Sequence, residues 1–148
     1  MTAASIPAPG DRWLRAIGYG LLAEVATILT IIFVVTLYKY VLAPGLDEAS
    51  YALLGQRAGA LIGILGGALY TFSFARRLMR RISSHFIAHG VVVALAAIAL
   101  SVAGSIAGHQ EIPASYITAS VLKILAGALA GFIYRRYIAS TPAALPQS

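Results

Sequence analysis

Several ionisable residues interrupt the long apolar segments of this 148-residue chain, and the types and positions of three of them indicate where chemistry could occur. They are Glu24, Lys123 and His89. An ionisable side chain near the centre of a membrane-spanning helix costs about 2.5 to 3.5 kcal/mol on insertion scales, so such residues usually serve a function. Counted at about 1.5 Å per residue from the midpoints of their apolar segments, Glu24 and Lys123 lie at nearly the same depth. We therefore expect the two side chains to meet inside the protein.

The expected Glu24–Lys123 pair has two interpretations. If Glu24 lies in a partly hydrated seam, it could exchange a proton or bind a cation. His89, about 10 Å to one side of the membrane centre by the same count, could then relay protons to Glu24. If the pair is permanent, it only fixes the register of the helices. With both interpretations open, we predict a proton, ion or substrate site at Glu24, Lys123 and His89.

Two histidines are spaced for a metal pair, because His85 and His89 lie four residues apart on one face of a helix. A metal site needs further ligands, and Glu24 would have to supply one from another helix. The sequence contains no cysteine, and we find no nucleophile–base pair and no cofactor motif in it. We therefore predict a protein that is not an enzyme and that holds neither a metal nor a cofactor.

Glycines recur at every fourth position in two of the apolar segments. This spacing forms a slanted stripe without side chains, along which a second helix can approach closely. We predict that the stripe packs against another helix of the same chain or of an identical partner. A smooth wall along a narrow pore is the alternative. The predicted packing residues are Gly55, Gly59, Gly63, Gly67, Gly127 and Gly131.

The elements that must position these residues are membrane-spanning helices. The chain is 59% apolar and only 11% charged, whereas a soluble protein has about 25% charged residues. Segments of about 20 apolar residues are long enough to cross a bilayer. We predict an all-α, polytopic, up-down bundle of four transmembrane helices over residues 13–139. The helices are expected at about 14–42, 51–74, 85–108 and 115–137, and the ends 1–12 and 140–148 are expected to be disordered and cytoplasmic.

Arginines indicate the orientation of the bundle, since cytoplasmic loops carry an excess of Lys and Arg. Eight of them flank one predicted side: Arg12, Arg15, Arg76, Arg77, Arg80, Arg81, Arg135 and Arg136. That side should face the cytoplasm, which predicts a multi-pass protein of the cytoplasmic (inner) membrane. Arg76, Arg77, Arg80 and Arg81 should lie near anionic lipid headgroups. Because the cations sit at the ends of apolar runs, the net charge of +6 does not indicate nucleic-acid binding.

One short stretch resembles a known family. Residues 22–27, Leu-Ala-Glu-Val-Ala-Thr, resemble the first-helix glutamate motif of small multidrug resistance transporters. Those are four-helix proteins whose membrane-embedded glutamate exchanges protons for cationic drugs. The resemblance implies a proton-exchanging role for Glu24. The glycine stripe of the second helix and the lack of a Trp-Gly motif in the third depart from that pattern, so we do not assign the family.

Two functions remain at this stage. The first is transport or permeation of a small solute or ion, coupled to protons through Glu24. The second is an accessory or structural membrane subunit whose polar residues lock helix packing. Four short helices enclose little interior, so we expect a lipid-embedded homo-oligomer or an assembly with a partner membrane subunit.

Overall fold

A computed structural model describes residues 10–109, 112 and 114–140, and within that part of the chain 89% of residues are helical and no strand occurs. The first helix, Gly10–Leu37, continues into a π-helical turn, Tyr38–Leu42. The next helix is continuous but changes type twice, as Glu48–Leu61, the π-helical turn Ile62–Gly66, and Gly67–Met79. The last two helices are Phe86–Ala107 and Ala114–Ser140.

These helices form four candidate membrane spans, which we number in chain order: Arg12–Leu42, Glu48–Met79, Phe86–Ala107 and Ala114–Ser140. Their mean hydropathies lie between 1.6 and 2.4. Large apolar side chains such as Leu14, Phe33, Leu65 and Leu125 are exposed along them. In a bilayer these side chains contact lipid, so the described chain is that of a multi-pass membrane protein.

The helix ends differ from the predicted ones where polar residues continue a helix. The second span reaches Met79 rather than residue 74, because arginine is a good helix former. The positive charges of Arg76 and Arg77 in the last turn also interact favourably with the negative end of the helix dipole. The same span begins at Glu48, since Asp47 caps it by accepting a hydrogen bond from the Ser50 N–H at 3.2 Å. Disorder was predicted for 1–12 and 140–148. Of these residues, 1–9 and 141–148 lie outside the described part of the chain, whereas residues 10–12 and 140 belong to helices.

The spans pack unequally along their length, and we name two halves of the bundle accordingly. The closed half consists of 12–23, 67–82, 86–97 and 124–134. The cavity half consists of 24–42, 48–66, 98–107 and 114–123.

The closed half contains the hydrophobic core. Its buried members come from all four spans and the turn after the second, and Leu78, Met79 and Val93 among them are fully buried. They are Ala16, Ala75, Leu78, Met79, Ile82, Val93 and Ala130. Arg12 closes the end of this half by donating a hydrogen bond from Nη1 to Ser83 Oγ at 2.7 Å.

The cavity half is held together by fewer contacts. Residues 48–61 of the second span contact mainly the first span, whereas residues 67–79 contact the other three. The π-helical turn Ile62–Gly66 lies between these two parts, and such turns commonly bend a helix. The second span therefore packs tightly in the closed half and departs from the third and fourth spans in the cavity half.

Candidate functional site

The structure brings Glu24 and Lys123 together at the boundary between the two halves. Lys123 Nζ donates a hydrogen bond to Glu24 Oε2 at 2.5 Å, and the two side chains are only 4% and 5% exposed. The residues are 99 positions apart in the chain, so the pair joins the first span to the fourth. Burial of either charge alone would be costly, and in the pair each charge is compensated by the other.

Gly67 provides the space that Lys123 needs to reach Glu24. A Cβ atom at Gly67 would lie 2.6 Å from Lys123 Cε. The aliphatic part of the lysine thus crosses the second span where that span has no side chain. Gly67 was predicted as a helix-packing residue, and its neighbour proves to be this one side chain rather than a helix backbone.

The predicted packing glycines of the fourth span lie against the backbone of the third. A Cβ at Gly127 would meet the carbonyl group of Gly90, and one at Gly131 would meet that of Phe86. The reverse also holds, since a Cβ at Gly90 would meet the Gly127 carbonyl. Gly90 was missed in the sequence because no second glycine lies three or four residues from it, and its partner glycine lies on another helix.

A half-open cavity of about 1010 Å³ has the ion pair at one end. All four spans contribute to its wall, and every lining residue belongs to the cavity half. Uncharged polar residues from all four spans line it: Thr27, Gln56, Ser101, Ser105, Ser115 and Tyr116. Apolar side chains include Ile28, Ile31, Ile64 and Leu100. Among the described lining residues only Glu24 and Lys123 are charged, so the cavity as a whole has no net charge.

The remaining three glycines of the predicted stripe line this cavity. A Cβ at Gly55, Gly59 or Gly63 would find nothing within 4 Å among the described residues. Within this one chain, the stripe therefore forms a wall instead of a contact between helices. The alternative interpretation of the glycine spacing, a smooth wall, describes their position here.

Most buried polar groups near the pair are already hydrogen-bonded. Thr27 donates to the Ala23 carbonyl at 2.9 Å, and Thr71 donates to the Gly67 carbonyl at 2.7 Å. Tyr116 of the fourth span donates a hydrogen bond to the Ile98 carbonyl of the third span at 3.0 Å. Tyr116 and Gln56 could not be singled out from the sequence as lining residues. Tyrosines are common at membrane interfaces, and a single glutamine has no spacing pattern.

His89 lies in the closed half, away from the pair. Its ring stacks on Trp13 with centroids 4.1 Å apart, and its Nδ1 is 3.0 Å from the His85 carbonyl oxygen. Nε2 is buried and has no hydrogen-bond partner in the described part of the chain. Glu24 lies eleven residues beyond Trp13, or about 16 Å along the helix, and fully buried Ala16 and Val93 belong to the core between them. The predicted relay residue thus has no direct contact with Glu24.

No protein-family model, curated protein or solved structure matches this chain.

Two further observations concern what the described residues can bind. They contain no group of three His, Asp or Glu side chains that could hold a metal ion. Four exposed arginines line a separate recess of about 650 Å³ with Phe72 and Ser73: Arg76, Arg77, Arg80 and Arg81.

Proposed function

We propose that this protein moves a small solute or ion across a membrane through the cavity between its four spans. The observation that carries the proposal is the position of the Glu24–Lys123 pair, buried at the end of a half-open cavity of about 1010 Å³. Ionisable residues are costly inside a membrane, and those that occur there usually serve binding or coupling. Glu24 offers one carboxylate oxygen to Lys123, and an entering proton or cation competes with Lys123 for that carboxylate.

The two halves suit a transporter that opens to one side at a time. Small residues and the core of the closed half block passage beyond the ion pair, while the cavity half admits solute. The π-helical turn Ile62–Gly66 is placed to bend when the second span moves, since it separates the tightly packed part from the loosely packed one. Movement of this span would also shift Gly67 and so release Lys123.

The residues at the two ends of the bundle support an orientation in the membrane. Contacts bring Arg12 to the turn after the second span and Phe86 to Tyr134, with ring centroids 5.3 Å apart. At the opposite end, Lys39 Nζ contacts Glu48 Oε1 at 2.9 Å. The excess of arginine at the first end supports an up-down bundle in the cytoplasmic membrane, with that end and both termini inside. The recess lined by Arg76, Arg77, Arg80 and Arg81 would then face anionic headgroups. A second copy or a partner subunit would cover part of the outer surface of the bundle.

Purified protein in vesicles that enclose a pH-sensitive dye tests the proposal. Amino acids, small ammonium compounds and sugars are added outside one at a time, and internal pH is followed. We expect at least one solute to drive proton movement in the wild type and none to do so in Glu24→Gln. Circular dichroism and gel filtration establish that the variant is folded and inserted. Proton movement of equal size in both proteins would contradict a coupling role of Glu24.

An accessory subunit is the second candidate, and the short Glu24–Lys123 contact favours it. A pair with 4% and 5% exposure that joins the first and fourth spans could serve only to fix their register. In that case no solute drives proton movement in either protein, while Glu24→Gln lowers thermal stability. The vesicle assay and a thermal unfolding curve together separate the two functions.

A further inference from the structure

We propose that the cavity takes a zwitterionic solute with an apolar part, such as an amino acid with a large side chain, in preference to a simple cation or anion. This inference rests on the proposed function, because it names the class of solute for the same cavity. It starts from the charge of the lining, in which Glu24 and Lys123 balance each other.

The balance of charge disfavours simple ions. A cation bound at Glu24 would displace Lys123 and leave a buried ammonium group without its partner. An anion bound at Lys123 would leave the Glu24 carboxylate in the same position. An unpaired charge in a site this buried is strongly unfavourable. A simple ion therefore gains one contact at the expense of another.

A zwitterion avoids this loss. Its ammonium group can bind to Glu24 in the place of Lys123, and its carboxylate can bind to Lys123 in the place of Glu24. All four charges then remain paired, in the alternating arrangement of an ionic quartet, and the site stays neutral. The ammonium group of the solute then occupies the Glu24 carboxylate for which a proton competes in the proposed function.

The size and composition of the lining indicate the rest of the solute. About 1010 Å³ lies at the upper end of the range for sites that bind drug-sized molecules, about 300 to 1,000 Å³. The cavity therefore has room for a solute that carries a large apolar part. Ile28, Ile31, Ile64 and Leu100 supply apolar surface, and Gly55, Gly59 and Gly63 leave an open wall beside them. An apolar side chain on the zwitterion would contact this surface.

Three probes with one carbon skeleton test the inference. L-Phenylalanine is zwitterionic at neutral pH, 2-phenylethylamine is a cation, and 3-phenylpropionate is an anion. Equilibrium binding of each is measured by calorimetry to the full chain in lipid nanodiscs, with empty nanodiscs subtracted. We expect L-phenylalanine to bind at least about tenfold more tightly than either ion. Equal or tighter binding of 2-phenylethylamine would overturn the inference, as would no binding of any probe.

Single neutralisations sharpen the test because they change the net charge of the cavity. Glu24→Gln leaves one positive charge and should make 3-phenylpropionate the preferred probe. Lys123→Met leaves one negative charge and should favour 2-phenylethylamine. The double variant Glu24→Gln/Lys123→Met is neutral, buries no charge and should lose the preference for L-phenylalanine. If a single variant fails to fold, the double variant decides: an unchanged preference there would overturn the assignment of the pair as the binding site.

The two proposals can fail separately. If the cation binds best and Glu24→Gln abolishes proton movement in vesicles, transport stands and the solute class is wrong. If L-phenylalanine binds with the predicted preference but radiolabelled L-phenylalanine does not enter the vesicles, the site is a binding site and transport is wrong.

Discussion

The closed half and the cavity half contain the same type of glycine spacing but use it differently. In the closed half, Gly127 and Gly131 lie against the backbone of the third span, and a side chain at either would collide with a carbonyl group. In the cavity half, Gly59 and Gly63 have open space beside them. A small-residue stripe thus permits close approach but does not require it. Where the neighbouring helix departs, the same stripe becomes the wall of a cavity.

The largest effect is expected at the ion pair that lies between the halves. Glu24→Ala leaves the Lys123 ammonium buried without its carboxylate, which should lower the free energy of unfolding by about 3 to 5 kcal/mol. Unfolding by denaturant in detergent micelles measures the loss. Replacing both residues, as Glu24→Met/Lys123→Met, should recover most of it because neither charge is then buried.

An exposed ion pair provides the control. Glu48→Ala removes the partner of Lys39, whose side chain is 33% exposed, and should cost far less because water replaces the lost contact. Equal losses for Glu24→Ala and Glu48→Ala would mean that water reaches Lys123 freely and that the boundary between the halves is not sealed.

A second expected effect compares one glycine from each half. Gly90→Ala places a methyl group against the Gly127 carbonyl and should destabilise the bundle by about 1 to 3 kcal/mol. Gly59→Ala should be neutral or stabilise by up to about 1 kcal/mol, since alanine favours a helix and the space beside it is open. Thermal unfolding of both variants checks the difference. A clear loss for Gly59→Ala would show that another chain covers the cavity wall.

The four spans could be predicted from the sequence because apolar length and composition are local properties. Candidate spans do occur in each predicted segment. The ends of the spans were harder to predict, since the second span continues through Arg76 and Arg77 to Met79. A count of apolar residues stops at the first arginine, whereas helix propensity and the helix dipole carry the helix further.

The site could be predicted only in part. The similar depths of Glu24 and Lys123 on two helices predict that the two side chains meet, and depth can be counted from the sequence. Depth alone gives no lateral position, which is why His89 could be imagined as a relay although apolar core residues separate it from Glu24. The roles of Gly67 and Gly90 depend on which helix lies opposite, and a single helix sequence does not contain that information.

Thiol accessibility tests the boundary of the cavity with a smaller effect. Ala97 and Ser101 lie one helical turn apart on the same face of the third span; Ala97 is fully buried in the closed half, and Ser101 lines the cavity. The chain has no cysteine of its own, so Ala97→Cys and Ser101→Cys each carry one thiol. We expect a water-soluble methanethiosulfonate to modify Ser101→Cys at least about tenfold faster, because reaction requires a hydrated thiolate. Similar rates, with both variants folded, would place the closed boundary elsewhere.

The smallest effect is expected at Asp47, where the loosely held part of the second span begins. Hydrogen bonding from the Ser50 side chain, and then from the Ser50 N–H, lowers the pKa of Asp47 from 3.8. Because the pKa is lower in the folded chain, the carboxylate contributes stability that is present above pH 3.8 and is lost as pH falls through the folded-state pKa. Asp47→Asn keeps a capping oxygen but does not titrate. Thermal unfolding measured against pH should therefore decline less steeply on the acid side in Asp47→Asn than in the wild type. Parallel curves would mean that the charge of Asp47 adds nothing to this cap beyond what a neutral capping oxygen supplies.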